Sequence, residues 1–586
     1  MTPFTQLRLL ACVTFFSLIA PSGARADELK LKIIAFNDFH GNLESPGKYR
    51  ANAKSPAVDA GGVDFLAGYI QHLKGENPNN VVVAGGDLIG ASPLASSLFH
   101  DEDTIEALDR LGLEFSAVGN HEFDKGRQEL LRQQYGGCFK PNGTTCEETT
   151  EKSAPFKGAK FKYLAANVFN TSTGKTLLPG YGIKIFHGVK IAFIGLTLKG
   201  TAKLVLPSGI AGLQFGDEAD AINGIVRTLR ARRIKNFVVL IHEGGAQTTR
   251  GTPDINGCEG GLSGTPIENI VNRLDDSVSL VISAHTHQAY ICQLSNRTGR
   301  KIVVTSAASY GRLLTDIDVT IDTKTKAITG VAAKNMVVDR TNAPGIAPDA
   351  ALKTFVDHYV ALASPIANRE VGSITADIPK MLNPAGESPL GDLVADAQLE
   401  ASSSAAAGGA VVAFTNEGGI RTDLPFTPNV AGVKSGSVTY GELFSIHPFG
   451  NVLVTVTLTG AQIKTLLEEQ FAGCLLDSPG GDVPVPSTNR ILQISEGFTY
   501  TWNPDGAVCD KVDPHSMRIH GAQVDPSTGY RVTINNYLAE GGDQFYVLRH
   551  GIDAVGGPSD LDALEAYFRK HRLVTPDEPH RITIKP

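Results

Sequence analysis

An α/β fold in two domains is what this 586-residue sequence predicts, and three observations carry the prediction. Apolar, β-branched runs recur from Leu31 to about Ile321, each stopping at once in polar or glycine-rich residues. Helix-like stretches separate those runs. A proline-rich break at Asp339–Asp349 then divides this region from a second set of shorter strands and helices. Strands alternating with helices build layered domains whose sheets are largely buried. The chain is also too long for one hydrophobic core.

The elements follow in order. Arg8 precedes the apolar stretch Leu9–Ala20, and Ala24-Arg25-Ala26 offers small residues at −3 and −1 of a cut. Residues 1–26 are therefore expected to be a signal peptide cleaved after Ala26. The apolar stretch is too short for a bilayer core of ~30 Å, so no membrane anchor is expected after cleavage. Strands are expected at Leu31–Phe36, Val81–Ala84, Phe115–Val118, Ile191–Ile194, Phe237–Ile241 and Leu280–Ser283. Helices are expected at Asp64–Lys74, Thr104–Leu111 and Asp217–Arg232. Pro344 and Pro348 stiffen the break, and an amphipathic stretch, Ala350–Ala363, could hinge two domains. The second domain then holds strands at Val411–Thr415, Val452–Leu458 and Arg531–Asn535, and helices at Leu390–Ser402, Ala461–Gln470 and Asp560–His571. The expected division is 27–338, a linker and hinge helix at 339–369, and 370–586.

Composition narrows the function. Hydrophobic residues make up 42% and charged residues 19%, which excludes a collagen, a coiled coil and a disordered chain. Cleavage removes Arg8 and Arg25 and no acid, taking the net charge from −8 to −10. An acidic surface does not suit binding of a nucleic-acid duplex, so any anionic substrate needs a local site. Six cysteines remain, none in a CxxC pair, and an even number in an exported chain suggests disulfides. Nearness in sequence favours 138–146, 258–292 and 474–509. "STGKT" at 172–176 resembles the end of a Walker A loop, but Phe169 replaces its first glycine, and a surface turn is expected.

The chemistry sits just past the strand ends. Asp38 and His40 lie in "FNDFHGN", Asp87 in "AGGDLIG", Asn120 and His121 in "VGNHEFD", His242 in "LIHEGG", and His285 and His287 in "SAHTHQA". In α/β sheets ligands bind beyond the carboxyl ends of strands, so five strands would deliver these side chains to one rim. In extended backbone, residues i and i+2 point the same way, which would aim Asp38 with His40 and His285 with His287. Carboxylate oxygen with imidazole nitrogen suits Zn, Mn, Fe or Co better than an all-oxygen Ca or Mg cage. A lone Asp here is more often a helix cap, and a lone His a core residue. Five ordered motifs are another matter, and seven ligands would be crowded around one ion but comfortable around two.

These motifs resemble the calcineurin-like metallophosphoesterases, and more narrowly the secreted bacterial 5′-nucleotidases, over essentially the whole mature chain. The resemblance implies a four-layer α/β/β/α domain joined to a smaller α/β substrate domain, and a periplasmic or secreted location. By the resemblance, one metal takes Asp38, His40 and His287, the other Asn120, His242 and His285, and Asp87 bridges them. His121 would pair with Asp124 as a dyad near the phosphate. Two metals ~3.5–4 Å apart would activate a hydroxide for in-line attack on phosphorus and neutralise the phosphoryl oxygens. His121 would stabilise the transition state or protonate the departing alkoxide.

In the second domain, "TNEGGIR" places Asn416 and Arg421 around glycines, "HPFGN" holds Phe449 and Asn451, and "NNYLAEGGDQF" holds Tyr537 and Asp543. An arginine fork binds phosphate or carboxylate, two aromatics can sandwich a base, and Asp543 can accept from sugar hydroxyls. Without a family, Phe449 and Tyr537 read as core residues. The resemblance places the specificity pocket in these motifs. The chain departs from it in having no arginine between Arg369 and Arg421, before Leu390-Gly391, and in a Tyr at the second aromatic position. The expected activity is phosphate release from nucleoside 5′-monophosphates. Alternatives are hydrolysis of 2′,3′-cyclic nucleotides, nucleotide sugars or dinucleotides, hydrolysis of a sulfur-linked carrier substrate, and a catalytically silent nucleotide-binding surface protein. The sequence favours neither monomer nor dimer.

Overall fold

The computed structural model describes residues 28–138, 156–248, 252–427, 433–476, 486 and 488–585. The expected signal peptide lies outside these residues.

Two six-stranded sheets form the first half of the chain. In one, Glu28–Phe36, Asn80–Ala84, Leu113–Ala117 and Lys162–Leu164 run parallel. Leu313–Asp322 and Ala327–Val337 extend it antiparallel. In the other, Val189–Thr197, Asn236–His242, Val278–Ser283 and Lys301–Ala307 run parallel between antiparallel edges Tyr181–Phe186 and Ala289–Ser295. Every strand expected from an apolar run in this half is present.

Strand alternation explains the layers. Leu31, Ile33 and Ala35 face Val238, Leu240, Leu280 and Ile282 across the space between the sheets. Ile34 and Phe36 point the other way, onto Val63, Leu66, Ile70 and Leu73 of helix Val63–Glu76. On the far side, Val239 and Ile241 pack on Ile222, Val226 and Leu229 of helix Glu218–Ala231. Asp217 starts that helix by accepting from Asp220 N at 3.0 Å. The result is α/β/β/α.

Helix Ala350–Ala367 begins at Asp349, which caps Ala351 and Leu352, and runs past the expected Ala363 through Pro365. A proline so near the end forgoes one ladder bond on an exposed turn. Leu352, Phe355, Val356 and Tyr359 are buried in the first domain's core. The helix is thus anchored to the first domain, and the chain leaves it at Asn368–Arg369.

The remainder builds a five-stranded sheet ordered Gln493–Ile494, Val412–Thr415, Gly529–Asn535, Val452–Thr459 and Ile552–Ser559. Leu458, Ile463, Phe471, Tyr500 and Trp502 fill its core. Disulfides join Cys258 to Cys292 and Cys474 to Cys509, each with Cα atoms 5.1 Å apart. The third expected pair involves Cys146, which lies outside the described residues. Among the described residues, no helix is long and apolar enough to cross a membrane.

Candidate active site

The two sheets deliver their loops to one rim. Asp38 and His40 follow Glu28–Phe36, Asp87 follows Asn80–Ala84, Asn120 and His121 follow Leu113–Ala117, His242 ends Asn236–His242, and His285 and His287 follow Val278–Ser283. All seven candidate ligands converge. Asp38, His40 and His287 place their donor atoms within 4.8 Å of one another, and Asp87, His242 and His285 do the same. Asp87 Oδ2 lies 2.9 Å from His242 Nε2 and 3.6 Å from His40 Nε2, so one carboxylate faces both groups. Asn120 Oδ1 lies 3.1 Å from His242 Nε2. His121 also falls within ligand range of His40 and Asp87. Its Nδ1 is engaged by Asp124 Oδ2 at 2.8 Å, however, as the dyad requires.

The way these side chains are aimed differs from the extended i, i+2 arrangement expected above. Asp38, His40, Asp87, His285 and His287 all have left-handed backbone, with φ of 49°, 48°, 49°, 71° and 54°. Each such residue costs roughly 1–3 kcal/mol and persists only where its surroundings enforce it. Asn37 is one enforcer: it donates to Asp38 Oδ2 at 2.6 Å and to Ala308 O at 2.7 Å, and accepts from Ala307 N at 2.8 Å. A second, not anticipated from the sequence, is Glu122. This buried carboxylate accepts from the backbone of Asp87, Leu88 and Gly119 at 3.0, 2.7 and 2.5 Å, stapling two site loops together. Gly119 is required there, because a Cβ would lie 2.0 Å from Asp87 Oδ1. The position of Glu122 inside "GNHEFD" was the available signal.

Electrostatics favour cation binding. Burial pushes the imidazoles of His40 and His285 down to about 3, leaving neutral nitrogen donors. Burial likewise holds His287 well below its ordinary value. At His242, burial is outweighed by the Asp87 carboxylate, which lifts the imidazole to about 9. A cation between that pair would take the proton's place. Burial also raises Asp38 to about 7. Neutral imidazoles with two carboxylates and an amide oxygen form a donor set for two borderline divalent cations.

The second domain closes over this rim. A cavity of about 200 Å³ is lined by Asn120, His121, Asp124 and His285 together with all six expected substrate residues: Asn416, Arg421, Phe449, Asn451, Tyr537 and Asp543. Among the described residues, Arg421 is the only arginine in that lining. It comes close enough to weigh against protonation of His40, His285 and His287. Its guanidinium carbon lies 5.6 Å from the Phe449 ring centre. Tyr537 donates to Asp543 Oδ1 at 2.7 Å, and Asn416 donates to Asp543 Oδ2 at 2.9 Å. Asn535 fixes Asn416 through its Oδ1 at 3.2 Å. Arg490, also missed in the sequence, holds the Asp543 carbonyl and Gln544 Oε1. It lies some fifty residues from that loop, so no local motif announces it.

The calcineurin-like phosphoesterase model matches residues 31–289, and the 5′-nucleotidase C-terminal domain model matches residues 367–550. The chain is 31% identical to Endonuclease YhcR of Bacillus subtilis (strain 168), covering 95% of this chain but only 40% of that protein. It is 30% identical to Cell wall protein Lmo0130 of Listeria monocytogenes, covering 92% of this chain and 68% of the relative. Identity to Protein UshA of Escherichia coli (strain K12) is 23%, over 96% of this chain and 95% of that one. Among solved structures, the 5′-nucleotidase precursor from Thermus thermophilus superposes with a TM-score of 0.73. At 22% identity, over 95% of this chain and 100% of that chain, it shares the fold.

Proposed function

The chain belongs to the calcineurin-like phosphoesterases that carry a 5′-nucleotidase C-terminal domain, and from that membership we propose that it is an exported dimetal hydrolase releasing phosphate from nucleoside 5′-monophosphates. One observation carries the reading: a single cavity has the His121–Asp124 dyad on one wall and Arg421, Phe449, Tyr537 and Asp543 on the other. Export is supported by the expected signal peptide and by the two disulfides.

On this reading Asp38, His40 and His287 hold one cation, Asn120, His242 and His285 hold the other, and Asp87 is shared. Bound there, two divalent cations (Zn, Mn, Co or Fe) supply Lewis acidity, an activated water and charge neutralisation of the phosphoryl oxygens. The protein supplies the rest. Arg421 grips the phosphate with a fork matched to its oxygens. Phe449 and Tyr537 offer faces for the base. Asn416, Asn451 and Asp543 bind the nucleoside; both Asp543 oxygens are already engaged, but each keeps a lone pair for a sugar hydroxyl. His121, oriented through Nδ1 by Asp124, keeps Nε2 to protonate the departing 5′ oxygen.

The test is phosphate release from AMP, UMP, UDP-glucose and 2′,3′-cAMP by protein loaded in turn with each metal, with bound metal counted. Turnover of AMP or UMP with two ions per chain is expected. Preference for UDP-glucose or the cyclic nucleotide would move the reading to those substrates, and activity toward none would refute it.

A further inference from the structure

The loop that carries Phe449 and Asn451 is held from behind, by groups outside the cavity. It joins helix Tyr440–Ile446 to strand Val452–Thr459. Val452 pairs with Ser559, the last residue of the neighbouring antiparallel strand. That pairing sets Asp560, the first residue of helix Asp560–His571, against Asn451. Asp560 N donates to Asn451 O at 2.8 Å, and the Asn451 side-chain amide donates to the Asp560 carboxylate. Asp560 Oδ1 also accepts from Leu561 N at 2.8 Å. Asn451 is thus fixed through both its backbone and its side chain. Committing the amide nitrogen to Asp560 sets which end of Asn451 a nucleoside meets.

His447 faces the same carboxylate. Its Nδ1 lies 3.7 Å from Asp560 Oδ2, beyond hydrogen-bond length, and the two side chains are only 2% and 1% exposed. Among the described residues neither ring nitrogen of His447 has a hydrogen-bond partner. A buried imidazole in that state is costly, and an apolar ring would fill the space without the cost. The two groups nevertheless act on each other: burial pushes the Asp560 carboxyl up, and His447 is the strongest influence opposing it. Two residues beyond His447, the Phe449 ring lies 5.7 Å from the His121 ring of the first domain. Slack at His447 would therefore reach the ring offered to the base.

Resting on the function proposed above, we propose that Asp560 and His447 are positioning residues for the nucleoside: Asp560 orients Asn451, and its attraction to His447 fixes the backbone that carries Phe449. Neither lines the cavity, so both act through the residues that do. Support of this kind keeps binding groups in their productive geometry. The candidate metal ligands and the His121–Asp124 pair belong to the first domain. The pair therefore governs affinity for the nucleoside half of the substrate and leaves the phosphate half alone.

The experiment takes the full chain loaded with divalent metal and measures AMP kinetics, with adenosine and inorganic phosphate as separate ligands followed by calorimetry. Asp560→Ala should raise KM for AMP and weaken adenosine binding, each at least about tenfold. It should leave kcat within about threefold and phosphate affinity within about twofold. Asp560→Asn, which keeps a hydrogen-bonding group, should recover much of the loss. His447→Phe, which keeps a ring but no nitrogen, should show the same pattern to a smaller degree. If Asp560→Ala does not fold, these two variants decide by the same split between adenosine and phosphate. Equal weakening of adenosine and phosphate, or a fall in kcat as large as the rise in KM, would assign the pair to general stability and overturn the proposal. Adenosine affinity unchanged in the Asp560 variants would overturn it as well. If wild-type protein neither cleaves AMP nor binds adenosine, the underlying function fails instead, and the wild-type arm alone tells the two failures apart.

Discussion

The imidazole of His121 lies face to face with the phenyl ring of Phe449, centroids 5.7 Å apart and planes 12° from parallel. One ring follows a strand of the first domain and the other precedes a strand of the second. The His121–Asp124 pair and the second domain are therefore in direct contact, and on the proposed function a base stacked on Phe449 would be tied to the residue proposed to protonate the leaving oxygen. The two domains share one site without sharing a core.

Phe449→Ala removes the stacking face but no ligand or proton. Stacking of a base on an aromatic is worth about 1–3 kcal/mol, so KM for AMP should rise on the order of 5- to 150-fold. kcat should change only a few-fold. Steady-state kinetics read both, and a kcat loss as large as the KM gain would contradict this division of roles.

Asp124→Asn tests the dyad through pH. Burial pushes His121 down, but Asp124 and then Asp87 overcome it and raise the imidazole above its ordinary value. The acid form therefore persists to higher pH than in free histidine. Without the Asp124 charge the alkaline limb of kcat should move to lower pH, with kcat reduced about tenfold or more. A limb that stays in place would exclude His121 as the proton donor.

Glu122→Ala leaves three buried N–H groups, those of Asp87, Leu88 and Gly119, without an acceptor. Unsatisfied buried donors cost about 1–3 kcal/mol each, and partial relaxation brings the expected loss to roughly 3–5 kcal/mol. Because two of the three lie in the Asp87 loop, bound metal should fall too. Denaturant unfolding and metal counting check this, and wild-type values in both would remove Glu122 from the account.

Asp392→Asn concerns the second domain alone. Burial first, and then Glu387 against the opposing Arg581, push Asp392 up to about 8. A carboxyl whose folded pKa lies above its unfolded value contributes stability in full below about 4 and loses it as pH rises through 8. Asparagine has no charge to bury. The decline in unfolding free energy between pH 5 and pH 8 should shrink by roughly 2–4 kcal/mol in the variant. Identical pH slopes would show that Asp392 does not titrate across that range.

Much of the fold was legible in the residues because burial on both faces leaves a plain mark. Runs such as Val81–Ala84 and Phe237–Ile241 contain no polar position, and only sheets covered on both sides tolerate that. What those runs do not state is partnership. Strands Leu313–Asp322 and Ala327–Val337 continue the first sheet rather than the second. That choice depends on the antiparallel pairing of Leu313–Asp322 with Glu28–Phe36, nearly three hundred residues away. The reach of Ala350–Ala367 past Pro365 was likewise not legible, because a proline in the last turn forgoes only one ladder bond.

By itself the sequence determined which chemical groups stand at the strand ends, since carboxylate, amide and imidazole are properties of residues and their order is covalent. Tertiary structure decided how they are aimed, by holding five of them in left-handed backbone that no local preference would choose. It also decided which distant groups support them, from Glu122 between two loops to Arg490 behind Asp543. The reason is physical. A donor atom's identity is local, whereas its direction is fixed by hydrogen bonds and packing that exist only once both sheets and both domains are closed.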